Sequence, residues 1–266
     1  MTDTRAHDPA LGAVSIGIAA AAGPEVAARI APAAQDAGFR ALWVNDTPGH
    51  DALEVLAAAA TVTKHLVLAT GVVPVDRRPP ASILRTVRDL GLPEDRLVLG
   101  IGSGALRRGA LESVDDAARA LRSATVAEVY VGALGPRMRG LAARAAHGAL
   151  LSWLTPEAAR EQAEPLAAAG SRSALYVRTA WDADANDRLD DEAHRYAAIP
   201  SYAAHFGRLG ITALDTVIRG GDAAAPRRVQ RYRAAVDEVV LRAIVADDTP
   251  DAYLRFVHRA AEVVAG

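Results

Sequence analysis

The 266-residue chain contains no cysteine. That absence excludes disulfides, thiolate catalysis, Cys-ligated zinc and thiolate-held iron–sulfur clusters together. Neither sign of charge is in large excess: 30 Lys and Arg stand against 32 Asp and Glu, a formal net charge of −2. A chain so balanced lacks the polybasic field that draws nucleic acid or an anionic membrane surface. No apolar stretch reaches the ~20 residues that a membrane-spanning helix needs. The opening "MTDTRAHDPA" has no basic region, so the apolar run from Leu11 to Gly23 reads as a buried strand rather than a secretory signal. The His residues lack metal-ligand spacing, and no metal site is expected. These absences leave a cytoplasmic protein whose partner is a small molecule, with no nucleic acid and no membrane.

What is present is an alternation. β-rich apolar runs fall at 14–20, 41–46, 66–72, 97–103, 129–134, 148–154, 173–181 and 237–245, and each is followed by a helical pattern. In "PASILRTVRDLG" (80–91), for example, Ile83, Leu84, Val87 and Leu90 keep helical spacing. The runs are continuously apolar, as parallel strands buried on both faces are. Eight βα units in this length match the ~250 residues typical of a (β/α)8, or TIM, barrel. The rival is an open doubly wound sheet, whose fingerprint is a G-x-G-x-x-G turn after a strand. "GIGSGA" (100–105) puts Ala105 where the third Gly belongs, and the barrel is preferred. No linker divides the chain, so one α/β barrel domain is expected over 1–266. The pattern also predicts a short helix near 115–124 and a mainly helical region beyond 182. The acidic run "DADANDRLDDE" (182–192) has Asp187 and Ala193 where a calcium loop needs Gly and Glu, so it reads as a solvated loop.

In a barrel the chemistry sits at the C-terminal ends of the strands. There "GALGPRM" (132–138) sets Gly135, Pro136 and Arg137 at a helix start. Close backbone approach, free N–H groups and the positive helix end make this an anion site, although a well-capped helix with a solvated Arg fits the same residues. Thr155, Pro156 and Glu157 form a complete helix start that needs no ligand. Thr70, Gly71 and Val72 end one strand, and Gly102, Ser103 and Gly104 another; each reads either as a tight turn or as backbone held against a ligand. Asn45 and Arg242 also fall at strand ends. Asp46 and His50 are the best titratable pair and the catalytic candidates, with a plain loop position the alternative for His50. Arg77, Arg78, Arg107 and Arg108 offer a positive rim or a solvated surface. His147 reads as a cap on the negative end of the preceding helix.

Taken in order, "AGFRALWVND", "LATGV", "RLVLGIGSG", "VYVGALGPRMRGLAARAAHGALL", "WLTPEAAR" and "VDEVVLRAI" resemble the luciferase-like monooxygenase superfamily, in its coenzyme F420-dependent branch. The resemblance implies a (β/α)8 barrel that binds coenzyme F420 or FMN at its C-terminal face. It implies an F420-dependent oxidoreductase moving hydride to or from a small organic substrate. The alternatives are an FMN-dependent reductase or monooxygenase, or a degenerate non-catalytic barrel. By the same resemblance, Gly71–Val72 matches a non-prolyl cis peptide behind the ring, Ser103 and Gly104 fall near the cofactor chain, and Gly135, Pro136 and Arg137 form the phosphate-side turn. The connection from the fourth to the fifth strand is shorter than in such relatives. That leaves the site either open or completed by a second copy in a homodimer.

Overall fold

Eight parallel strands close into a barrel, and one of the eight is broken. The computed structural model describes residues 11–265. The strands are β1 (Ala13–Ala19), β2 (Ala41–Asn45), β3 (Val67–Thr70), β4 (Val73–Pro74), β5 (Leu97–Gly102), β6 (Glu128–Gly132), β7 (Gly148–Ser152), β8 (Arg172–Thr179) and β9 (Glu238–Ala243). The sheet order is β3-β2-β1-β9-β8-β7-β6-β5-β4, and pairing of β3 with β5 closes it. Segments β3 and β4 are together the third barrel strand, interrupted at Gly71–Val72, where the peptide bond is cis. The helices are α1 (Gly23–Asp36), α2 (Ala52–Val62), α3 (Pro80–Asp89), α4 (Ala110–Ala124), α5 (Pro136–Ala145) and α6 (Pro156–Ala168). After them come α7 (Asn186–Ala197), α8 (Pro200–Leu209), α9 (Ala225–Arg233) and α10 (Pro250–Ala265). The eight strands stand where the apolar runs predict them.

The core has two layers. Between barrel and helices lie the outward-facing residues of the strands, such as Ile16, Ile18, Leu42 and Leu99, against the apolar faces of the helices. Inside the barrel, Trp43 packs edge-on against Tyr130 and Tyr176, with ring centroids 5.8 and 6.1 Å apart. Toward the N-terminal end of the barrel sits Glu238, almost fully buried. It accepts hydrogen bonds from Ser15 Oγ, Trp43 Nε1 and Arg40 Nη1 at 2.5–2.7 Å, so its charge is both paired and fully hydrogen-bonded, as burial requires. Gly100 is dictated by closeness: a Cβ there would stand 2.0 Å from the Thr70 carbonyl oxygen. The ring of helices closes as the sheet does, with α10 packed beside α1 and Arg29 3.5 Å from Asp251 between them.

Two sequence expectations change. Helix α4 starts at Ala110, not near 115, because Gly109 at φ 67 reverses the chain directly into it. The acidic run 182–192 is not a solvated loop. It forms a short 3-10 turn (Ala183–Ala185) and the first half of α7, which turns Asp190 onto Arg219 and buries Glu192. Helices α7 and α8 lie outside the sheet and pack through Leu189, Ala193 and Phe206 on Trp153, Ala180 and Ile244, just past the strand ends. They stand over the ends of β7, β8 and β9 from within the same chain. Among the described residues no helix is long and apolar enough to cross a membrane.

Candidate active site

At the mouth, β8 and β9 pair in a register that makes Arg178 and Arg242 direct neighbours. Like charges facing each other across a sheet repel. Their side chains are only 5% and 10% exposed, and one carboxylate, Glu192 of α7, meets both. Arg178 donates from Nε to Glu192 Oε1 at 3.1 Å and from Nη1 to Ser152 Oγ at 2.6 Å. Its guanidinium lies 4.1 Å from the centre of the Trp153 ring and 5.0 Å from that of Tyr196, a cation–π arrangement on two faces. Trp153 is held at φ 58, a conformation that costs a bulky residue about 1–3 kcal/mol and recurs at functional sites. Burial pushes the Glu192 carboxyl up, but Arg242, Arg178 and Arg195 outweigh it and hold it below the ordinary carboxylate range.

Arg242 donates from Nε to Asn45 Oδ1 at 2.9 Å and from Nη1 to the Ala243 carbonyl. Asn45 in turn donates to the Gly71 carbonyl. A hydrogen-bonded line therefore runs from β9 through β2 to the break in the third strand. Beside Arg242 opens a cavity of about 270 Å³, walled by Ala19 at the end of β1 and Ala22 just past it, by Ile244 and Val245, and by Arg188 and Glu192 of α7.

None of the residues expected to hold a cofactor lines this cavity. Thr70 is buried and donates to the Gly100 carbonyl at 3.0 Å. Val72 fills the space left by two glycines: a Cβ at Gly102 would come within 2.6 Å of Val72 Cγ2, and one at Gly132 within 3.0 Å of its Cγ1. Gly104 packs on Asp76, which also accepts the Ala105 N–H, while Ser103 is half-buried at the end of β5. Asp46 and His50 are not brought together as an acid–base pair. Asp46 accepts the Ala52 N–H at 3.2 Å and a bond from Arg77 at 3.0 Å, and burial raises its carboxyl pKa. His50 is exposed on the loop, bridged through its backbone to Thr47. The positive rim is half spent, since Arg77 and Arg78 pair with Asp46 and Asp51; Arg107 and Arg108 are exposed. His147 is not a charged helix cap. Its Nδ1 accepts the Val129 N–H at 2.8 Å, which needs a lone pair, and burial and Arg122 lower its pKa.

Gly135 caps α5 without a side-chain hydrogen bond to the first turn. Its φ is −114, and a Cβ there would meet nothing within 4 Å. The fold itself has no need of glycine at this position. The turn is fixed from α8, where His205 sits buried with Nδ1 3.1 Å from the Leu134 carbonyl and Nε2 3.0 Å from that of Trp153. Sequence reasoning missed Arg178, Glu192 and His205. The two arginines had a signal: a charged residue near the end of each of two otherwise apolar strands, "LYVRTA" and "VVLRAI". Glu192 and His205 had none, being one acid in an acidic run and one His among the mixed residues of a short helix.

A parallel barrel with small-walled space and buried cations at its C-terminal mouth defines an α/β protein of the TIM-barrel class, with a site where such barrels carry chemistry. Residues 9–109, spanning β1 to β5, match the family described as luciferase-like monooxygenase. No curated protein sequence matches the chain. Among solved structures it resembles the monooxygenase RslO1 from Streptomyces bottropensis, with 18% identity and a TM-score of 0.70 over 95% of this chain and 98% of that one. It resembles an F420-dependent secondary alcohol dehydrogenase in complex with an F420-acetone adduct, with 15% identity and a TM-score of 0.71 over 96% and 98%. The EDTA monooxygenase EmoA from Chelativorans sp. BNC1 is similar at 11% identity and a TM-score of 0.67 over 94% and 93%. At these identities the likeness shows the fold.

The residues present fit a cofactor with an anionic tail. An uncapped helix start with open space at Gly135 suits a phosphate.

Proposed function

We propose that the protein is an oxidoreductase of the luciferase-like type that uses coenzyme F420, moving hydride between the deazaflavin and a small organic substrate. The observation that carries this reading is Gly135: a glycine that neither backbone conformation nor packing demands, at the start of an uncapped helix on the catalytic face. Gly135 and Arg137 with the first turn of α5 would hold the phosphate, and Ser103 and Gly104 would lie along the chain that joins it to the ring. When bound, the deazaflavin supplies the hydride chemistry at its C5, and the protein supplies binding, orientation and electrostatics. Asp46, its carboxyl pKa raised by burial, is the side chain placed to hold or release a proton near the strand ends. His50 remains the second catalytic candidate, on the loop above it. Helices α7 and α8, packed past the ends of β7, β8 and β9, would shield that side of the mouth from water. A homodimer in which a second copy completes the site remains part of the proposal.

The F420 reading is supported by the resemblance in the sequence and by two structural neighbours whose names carry that coenzyme. The FMN reading has support of the same kind, from a riboflavin lyase solved with modified FMN. Fluorescence titration of the purified protein separates them. Coenzyme F420 is expected to bind more tightly than FMN, and its affinity to fall as salt rises, because an anionic tail meeting partly exposed charge is screened. Protein that purifies loaded with FMN and ignores F420 reverses the assignment.

A further inference from the structure

We infer that the cavity between α7 and the ends of β1 and β9 is a carboxylate site, with Arg242 as its anchor. Charge balance at the strand ends points to it. Two guanidiniums and one carboxylate are buried together, Arg178, Arg242 and Glu192, so the group carries one positive charge more than it neutralises. Arg178 has the closer claim on Glu192 and two aromatic faces besides. Arg242 is left with two neutral acceptors, Asn45 and the Ala243 carbonyl. Its Nη2 makes no hydrogen bond among the described residues and stands 3.9 Å from Glu192 Oε2. A buried, under-compensated charge is unfavourable unless an anion completes it.

The other charges around the cavity do not supply that anion. Asp248 is held by Arg188 at 2.5 Å and by the Tyr253 hydroxyl at 2.9 Å. Asp191 is exposed, and Arg195, 3.8 Å from Glu192 Oε2, adds a further cation. Guanidinium prefers planar acceptors that take two parallel N–H bonds, which a carboxylate offers. Between these charged groups the wall carries a smaller apolar part, chiefly Ala19, Ala22, Ile244 and Val245. About 270 Å³ falls just under the ~300–1,000 Å³ of pockets that take drug-sized molecules. The ligand is thus a small organic acid with a short apolar body. As a substrate class this rests on the oxidoreductase reading; as a binding site it stands without it.

The test is calorimetric titration of the purified full chain, without added cofactor, with straight-chain carboxylates from propanoate to hexanoate and with the matching primary amides. The acids are expected to bind and the amides to bind at least about tenfold more weakly, a difference of about 1.4 kcal/mol. Arg242→Gln should weaken acid binding by about tenfold or more. Glu192→Gln should strengthen it, because the carboxylate that competes for Arg242 is gone. Arg119→Ala, at an exposed position of α4, should leave it unchanged. Acids and amides binding alike, no binding of either, or an Arg242→Gln protein that is folded by circular dichroism and binds as before each overturns the site. The acid–amide comparison uses unaltered protein and so survives any variant that fails to fold. Titration of the same preparation with F420 and FMN keeps the two ideas apart. Cofactor binding without acid binding removes this inference alone, and acid binding without cofactor binding removes the oxidoreductase reading alone.

Discussion

At the scale of single residues, the anion turn makes a prediction with two separable signs. Arg137 is exposed, and an exposed Arg contributes little to folding. Arg137→Ala should therefore leave the melting temperature of the cofactor-free protein nearly unchanged. It should weaken cofactor binding by roughly 1–2 kcal/mol, the scale of one charge-assisted hydrogen bond. Gly135→Val should weaken binding more, by crowding the approach to the helix start. Positive φ plays no part, since Gly135 sits at −114 with open space at its Cβ position. Fluorescence titration and thermal melts on the same variants read both effects. Equal affinity for wild type and Arg137→Ala, with the fold intact, reduces the turn to a helix start.

At the scale of elements, one α8 imidazole sits between two strand-end turns, and as a neutral ring it donates to only one of their two carbonyls. Burial lowers the His205 pKa below its ordinary 6.5, with Arg208 and Arg139 acting the same way and the Trp153 and Leu134 carbonyls opposing. His147, beside β6, is likewise lowered by burial and Arg122. The folded protein thus binds these protons less readily than the unfolded chain. Above pH 6.5 both states are neutral and nothing is lost. As pH falls through 6.5 toward the folded-state values, the unfolded chain gains protons first and stability declines. Urea midpoints should then drop between about pH 7.5 and about pH 5.5, and His205→Gln should flatten part of that slope. An identical slope in the variant means that His205 does not titrate in this range.

At the scale of the molecule, a closed parallel barrel carries a separate cover. The strands are hydrogen-bonded on both sides around the ring. Helices α7 and α8 touch it through their own apolar cluster and the Glu192–Arg178 pair. Elements with fewer shared hydrogen bonds open at lower free energy, so backbone amides of 186–209 should exchange with deuterium well before those of β1, β8 and β9. Ligand in the mouth should slow exchange in α7 first. Uniform exchange across cover and barrel would make the two one cooperative unit.

The barrel is legible in the local pattern of the chain. Eight continuously apolar runs, each followed by a helical pattern, have few ways to bury both faces of every strand, and the residues of β1, β5 and β9 say so locally. That pattern also marked the Gly135 turn, because helix-start chemistry is written in adjacent residues. How charges distant in the chain meet depends instead on the closed fold. Arg178 and Arg242 are made neighbours by the register of β8 and β9, and Glu192 reaches them only because 182–192 folds into a helix laid across the mouth. Asp46 and His50, four residues apart, looked like a pair for the opposite reason. Closeness in sequence does not fix where side chains point, and the loop turned His50 outward while Arg77, from beyond the third strand, took Asp46. Local propensity and hydrophobic period act over a few residues. Compensation of a buried charge is settled by whichever partner the closed barrel brings within a few ångströms.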